Sequence, residues 1–520
     1  MRRFLLGLLL LVLVAIPVRA QPAEAVGHGY QSPPALDDGW QTASAEALGL
    51  APAPLERLTE AVRRGEEYRN IHAVLIAKDG RLVYEAYFEG EDEHGRRGRL
   101  GRVVFDRETR HDIRSITKSV VSALVGIAVG EGAIGSVDQP LLDFFPEHAD
   151  LATPERRAIT LRHALDMSAG LEWNEWGATV DSVNTMGAMN RSADLIRFVL
   201  ERPVVAAPGT AWEYSGGLTH LLAEVVQRAT GRPLLDYARE VLFEPLGIRD
   251  VEWYENAIRR TTPDADSGLR LRPRDLAKFG LLYEQDGRWN GRQVIPAAWV
   301  ADSRQWQIGL PDSLVEFGEG ATGEVGYGAQ WWHTRYTLPY GRFTAHRAIG
   351  NGGQLVFVVP EMGLTAVVLA GTYDGPSAGT RLVLERMVPW ALGVGETVYP
   401  FGEERPVRLV APGAWPERPL APEERARYVG TYASEGERIR VWEEGGVLHV
   451  TPFIWARGGP LHLVPMGNDV FAYGLYDAGH LTKVYWPDYR LEFEIEGGRA
   501  VRFLDRTAEG HVYATAERVE

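Results

Sequence analysis

Two apolar runs, Ala73–Ile76 and Leu82–Phe88, flank Asp79-Gly80, a pattern that predicts a β-hairpin. From Ser115 to Glu131 the chain carries Val120, Val121, Leu124, Val125, Ile127 and Val129 with small residues between them. A helix apolar nearly all round belongs inside a large unit rather than on its surface. Leu218–Thr230 and Pro273–Tyr283 repeat a helical period between Gly and Pro punctuation. Gln354–Val359 and Leu364–Leu369, joined by Pro360-Glu361-Met362-Gly363, predict two buried strands and a tight turn. Strands at both ends with helices between them imply an α+β fold, in which the first and last strands could share a sheet.

The pattern then changes. Pro400, Pro406, Pro412, Pro416, Pro419 and Pro422 mark an interdomain linker. Beyond it come short alternating strands at Arg438–Trp442, Val447–Val450, Leu461–Val464, Val470–Tyr473, Leu491–Ile495 and Val501–Leu504, with Gly445-Gly446 and Gly497-Gly498 at hairpin turns. This predicts a small all-β C-terminal barrel or sandwich. The expected organisation is a leader over residues 1–20, an extended lead-in over 21–53, a main unit over 54–398, a Pro-rich linker over 399–422 and a small antiparallel β unit over 423–508.

The leader reading rests on Arg2-Arg3, an apolar run from Phe4 to Val18 and small residues after it, the pattern of a secretory signal cleaved after Ala20 or Ala25. The competing reading is an uncleaved anchor. Fifteen residues rise only about 22 Å as a helix, short of the roughly 30 Å hydrocarbon core. Export to a periplasm or the exterior is therefore expected, with no stable membrane insertion after cleavage. A net charge of −15 excludes nucleic acid as a natural partner, because phosphate backbones are repelled. The chain has no cysteine, which removes zinc ribbons, iron–sulfur clusters, disulfides and thiol nucleophiles. Nothing in the pattern specifies an oligomer.

Several motifs fail on context. Gly130-Glu131-Gly132-Ala133-Ile134-Gly135 and Gly318-Glu319-Gly320-Ala321-Thr322-Gly323 match a dinucleotide fingerprint. The first follows a helix instead of opening one, and the second is acidic where a pyrophosphate would sit. There is no Gly-Lys-Ser/Thr phosphate loop, no helical two-histidine metal motif and no Gly-x-Ser-x-Gly elbow. Neither metal nor organic cofactor is expected.

Ser115-Ile116-Thr117-Lys118 survives this sieve. Positions three apart on a helix are neighbours, so the hydroxyl and the amine meet. Only four of the 55 basic residues are lysines, yet one stands here, where a cation able to act as a base is required. Burial and the positive end of the helix would disfavour its charged form, leaving a free amine to take the serine proton. The other reading is a capped helix with an incidental lysine.

The run His111-Asp112-Ile113-Arg114-Ser115-Ile116-Thr117-Lys118-Ser119 resembles the active-site segment of the penicillin-recognising serine hydrolases, above all class C β-lactamase-like esterases and amidases and 6-aminohexanoate-dimer hydrolases. Ile159–Leu165 with Ser168-Ala169-Gly170-Leu171 is similar to their helix and turn before the active-site tyrosine, and Pro208–Gly217 to their second motif. The likeness runs from about Leu55 to Leu392 and implies a β-lactamase-like α+β fold, with a lipocalin-like appendage after it. It implies Ser115 as nucleophile, with Lys118 and Tyr214 moving protons. Gly216 stands where the family's Tyr-x-Asn motif has asparagine. The third motif, Lys-Thr-Gly in the family, falls on Ala348-Ile349-Gly350. The N–H groups of Ser115 and Asn351 would then form the oxyanion hole, while Gly216, Gly350, His346 and Trp331 would line the substrate site. The expected function is an exported serine hydrolase cleaving a small ester or amide through an acyl-enzyme. The rivals are a β-lactamase or D-amino-acid peptidase of the same superfamily, and a non-catalytic sensor of cell-wall peptides. The small β unit acting as a binding module is a further rival.

Overall fold

The computed structural model describes residues 30–519 except 66–67, 176–184, 256–262, 311–322, 339–340, 374–377, 394–407, 410–419, 435–436, 451–460, 478–479, 486–488 and 508–511. Residues 1–29, which take in the expected leader and the start of the expected lead-in, lie outside the described residues, as does most of the expected proline-rich linker.

The predicted hairpin is Ile71–Lys78 with Arg81–Tyr87, and the predicted C-terminal pair is Gln354–Val359 with Leu364–Ala370. Both belong to one eight-stranded antiparallel sheet, in the order Ile308–Gly309, Gly323–Gly328, Trp331–Leu338, Gly341–Gly350, Gln354–Val359, Leu364–Ala370, Ile71–Lys78, Arg81–Tyr87. The first strand pairs with the last, Val74 opposite Val368 and Ile76 opposite Ala366. Ends of the chain separated by almost 300 residues thus close one sheet, as strands at both ends of an α+β pattern allow.

Alternation along these strands builds two cores. One face carries Ala73, Leu75, Ala348, Val356 and Val367 and packs on the helices Ile116–Gly130, Gly216–Thr230 and Pro273–Glu284. The other carries Val74, Ile76, Phe357 and Val368 and packs on Ala53–Arg64 and the helical segment Gly379–Ala391. The helix Ile116–Gly130 is buried from Ile116 to Ala128, matching its all-round apolar pattern. Gly126 permits this packing, because a Cβ there would lie 2.2 Å from the Trp299 ring.

The lead-in does not extend to residue 53 as a free segment. Trp40 is buried and donates from Nε1 to the Arg274 carbonyl at 3.2 Å, and the Asp38 carboxylate pairs with Arg274 at 2.7 Å. Desolvating an indole and closing a buried ion pair fasten this stretch to the main unit. Trp40 and Asp38, in the expected lead-in, are thus in contact with the main unit.

In the C-terminal region eight antiparallel strands close into a barrel: Gly430–Ser434, Glu437–Glu444, Val447–Val450, Leu461–Gly467, Val470–Asp477, Tyr489–Glu496, Arg499–Thr507 and Val512–Arg518. Closure comes from Val470 pairing with Glu492 and Phe471 with Leu491. Tyr428, Tyr432, Phe471, Phe493 and Phe503 fill its interior. The boundary at 508 is corrected to Arg518, because Val512–Arg518 bonds to strands on both sides. Within the linker, Arg408–Leu409 pairs with His480–Tyr485 as a short strand. Among the described residues, no helix is long and apolar enough to cross a membrane.

Candidate active site

Ser115 occupies the N-cap of the buried helix, but its hydroxyl makes no capping bond. Serine caps normally accept from the N2 or N3 amide, as Ser215 does from Leu218 N at 3.3 Å. At Ser115 the oxygen instead accepts from Lys118 Nζ at 3.0 Å, one turn along, as their spacing requires. Ser115 is half-buried, whereas Lys118 is 1 % exposed, so the hydroxyl faces outward and the amine lies behind it. Arg114, just ahead, has φ +50°, and its guanidinium is tied to Glu93 at 2.7 Å. These restraints hold the turn that presents the serine.

Tyr214 immediately precedes the Ser215 cap of the helix Gly216–Thr230. Its ring centroid is 4.9 Å from Lys118 Nζ, so the structure gathers Ser115, Lys118 and Tyr214. The third predicted segment reaches the same place. A Cβ on Gly350 would lie 2.4 Å from the Ile113 carbonyl and 3.1 Å from Arg114 Cβ, so the end of that strand is in backbone contact with the turn before Ser115. Asn351 follows at once and is exposed.

The expected free amine is corrected. Burial by itself would lower the Lys118 pKa, but the Tyr214 oxygen and the Asp266 and Glu175 carboxylates outweigh it and hold the group above the usual lysine range. Asp266 Oδ2 is 3.4 Å from Nζ and Glu175 Oε1 is 4.0 Å away. Lys118 therefore rests as an ammonium. Burial pushes the Glu175 carboxyl up, against the pull of Lys118. Asp266, although buried, is held well below the carboxylate range by Lys118 and His220.

Two predicted lining residues are also corrected. Trp331 is fully buried, with its ring 4.2 Å from Tyr283, and belongs to the core beneath the helices. His346 is buried and its Nδ1 is bonded to His333 Nδ1 at 2.9 Å, which turns the ring toward the neighbouring strand. The aromatic wall beside Tyr214 is Trp332, with ring centroids 5.9 Å apart, and Trp212, with Tyr327 beneath. Gly216 is present at the site, donating its N–H to Glu175 Oε2 at 2.6 Å. Ala348 lies on the sheet face shared with the helices, while Arg347 points to the other face and donates to Thr334 Oγ1 at 2.6 Å. Ala348 itself supplies no cation at the third motif, and the Arg347 guanidinium is engaged by Thr334.

Sequence reasoning missed Asp266, Glu175, His220, Trp212 and Trp332. Trp212 stood inside the second motif, and glycine at 216 was a signal that some other group fills the asparagine's space. Asp266 and His220 belong to no motif. Among the described residues, two clusters bring three potential ligand atoms within 4.8 Å of one another: His72, Asp92 and His111, and His220, Asp264 and Asp266. In the first the two imidazoles bond each other at 2.8 Å, and in the second His220 bonds Asp266.

Comparison with known proteins bears on the fold and the family. The chain is 31% identical over 219 residues to esterase EstB of Burkholderia gladioli, a match covering 40% of this chain and 52% of that one. It is 26% identical over 245 residues to the 6-aminohexanoate-dimer hydrolase of Paenarthrobacter ureafaciens, covering 45% and 60%. The matches therefore span about half to three-fifths of these relatives. A crystal structure of a family VIII carboxylesterase shares the fold with TM-score 0.50 and 19% identity, over 65% of this chain and 98% of that one. The profile of the Beta-lactamase family matches residues 61–385. Because that match takes in more than half of the 520 residues, the chain belongs to the Beta-lactamase family.

Proposed function

We propose that the protein is an exported serine hydrolase that cleaves small neutral esters, and neutral amides more slowly, through an acyl-enzyme on Ser115. The observation that carries this reading is the uncapped, accessible Ser115 hydroxyl bonded to Lys118 with Tyr214 alongside. Ser115 Oγ attacks the carbonyl carbon while the Tyr214 oxygen, beside the Lys118 ammonium, takes the serine proton and a proton is delivered from the same pair to the leaving group. The N–H groups of Ser115 and Asn351 hold the developing oxyanion. Water then enters and the same groups return the proton to Ser115. Two relatives named as an esterase and a 6-aminohexanoate-dimer hydrolase support the reaction type. The leader pattern at residues 1–20 supports export.

Ala348 supports a neutral acyl donor. A third-motif cation would anchor an anionic carboxylate, and loss of such a charge-assisted bond typically costs about 1.5–3 kcal/mol, or roughly ten- to a hundredfold. The test is intact-mass detection of the acyl adduct with p-nitrophenyl butyrate, together with kcat/KM for that ester beside nitrocefin and benzylpenicillin. Adduct formation that vanishes in Ser115→Ala, with the ester at least tenfold better, is expected. Equal or better efficiency on the β-lactams would return the protein to the β-lactamases proper.

A further inference from the structure

Behind Ser115 and Lys118 runs a buried chain of acid and imidazole that no motif accounts for. Lys118 Nζ donates to the Asp266 backbone oxygen at 3.1 Å and lies 3.4 Å from Oδ2 of the same residue. The other carboxylate oxygen, Oδ1, accepts from His220 Nε2 at 3.2 Å. His220 belongs to the helix that begins just after Tyr214, and its Nε2 is 3.8 Å from Asp264. All of this lies within the core: Lys118 is 1 % exposed, Asp266 4 % and His220 4 %.

A carboxylate removed from water is unfavourable unless a cation and hydrogen-bond donors meet it. Here the cation is the lysine bonded to the nucleophile. Space at the site is arranged for this contact. A Cβ at residue 216 would come within 2.9 Å of Asp266 Oδ2 and 2.6 Å of Met186 Cε. Glycine at 216 and the acid at 266 are therefore one arrangement, in which the carboxylate reaches the lysine through space that a side chain would fill.

We propose that Asp266, oriented by His220, is the positioning residue that holds Lys118 as an ammonium ion with its N–H aimed at Ser115 Oγ. This rests on Ser115 being the acylated nucleophile. Lys118 then serves as a fixed hydrogen-bond donor in the resting enzyme, and activity is lost at high pH when that proton leaves. The charged and titratable groups facing Lys118 are Asp266, Glu175 at 4.0 Å and Tyr214, with Asp264 and His220 behind Asp266. Asp264 does not add a second anion, because burial beside Asp266 pushes its carboxyl well up and keeps it neutral. Burial pushes the Glu175 carboxyl up as well, against the pull of Lys118, and Asp266 is the carboxylate nearer to Nζ, at 3.4 Å against 4.0 Å.

An opposite charge at this range shifts a pKa by about 1–3 units. The experiment measures kcat/KM for p-nitrophenyl butyrate, corrected for spontaneous hydrolysis, and the rate of fluorophosphonate labelling, from pH 5 to pH 11.5 in wild type, Asp266→Asn, Asp266→Glu and His220→Leu. In Asp266→Asn the alkaline limb should move down by about one unit or more, with kcat lowered and KM little changed. Asp266→Glu should restore part of the shift, and His220→Leu should move the limb the same way by less. Loss of packing alone would lower the whole profile without displacing its limb. An Asp266→Asn profile coincident with wild type, or one that rises at neutral pH because a freed amine works better, would overturn the proposal. If Asp266→Asn does not fold, the His220→Leu profile decides by the same criterion. Wild-type protein that takes no label on Ser115 would instead bring down the acyl-enzyme reading itself.

Discussion

Gly350→Ala tests the constriction between the sheet and the nucleophile turn. The added methyl would stand 2.4 Å from the Ile113 carbonyl oxygen, 3.0 Å from Gln354 Cβ and 3.1 Å from Arg114 Cβ. A relaxed C···O approach is about 3.3–3.6 Å, so the strand end and the turn must separate by about 1 Å. The backbone conformation of residue 350 suits alanine, since its φ is not positive. The effect is therefore one of distance, not of backbone strain. A displacement of that size between Ser115 and Asn351 detaches one of the two oxyanion donors, and misplacement by 1 Å costs about a hundredfold in rate. That corresponds to about 2.7 kcal/mol in the transition state. Because the lost bond forms only as the oxyanion develops, kcat should fall while KM for p-nitrophenyl butyrate stays nearly constant. Overpacking is expected to cost about 1–3 kcal/mol of stability, so far-UV circular dichroism and a melting curve must accompany the kinetics. A folded Gly350→Ala protein within threefold of wild-type kcat/KM would refute the assignment of residues 350–351 to the oxyanion hole.

Ser115→Ala and Lys118→Ala should each abolish nearly all turnover of the ester, and the double variant should be scarcely worse, because the pair acts as a unit; additive losses in kcat would refute this. Asp166 is buried, accepts the Ala329 N–H at 2.8 Å and is pushed up to about 7 by burial. The folded state then binds the extra proton between pH 4 and 7, so this residue's contribution to stability falls as pH rises through that window. Asp166→Asn keeps an acceptor for Ala329 and removes the penalty. Its melting temperature should exceed that of wild type at pH 8 by more than at pH 5, and an equal difference at both pH values counts against the reading. A chain ending near Pro400 should fold and still label on Ser115, since the barrel interior of Tyr428, Tyr432 and Phe471 is a core apart from the two that flank the main sheet; insoluble protein would show the barrel to be part of the main core.

What could be read along the chain was local. The hairpin at residues 71–87 follows from Asp79-Gly80 between apolar runs, and the buried helix after Ser115 from residues apolar on every side. The Ser115–Lys118 contact follows from helical spacing alone. Other features needed the chain's return from far away. Asp266 reaches Lys118 across 148 positions, so the lysine's charge state was set by a residue that local burial arguments could not include. Trp331 and Trp332 are adjacent in sequence, yet alternation along a strand sends one into the core and leaves the other beside Tyr214. The barrel strand Val512–Arg518 escaped notice because beyond Val512 and Tyr513 its apolar residues are only Ala514 and Ala516; backbone bonds to neighbours on both sides place it in the ring. Spacing and apolar period thus determined which groups the protein brings to the reaction. Tertiary structure decided their charge and the walls around them, because electrostatic and packing energies depend on distances in space that separation along the chain does not specify.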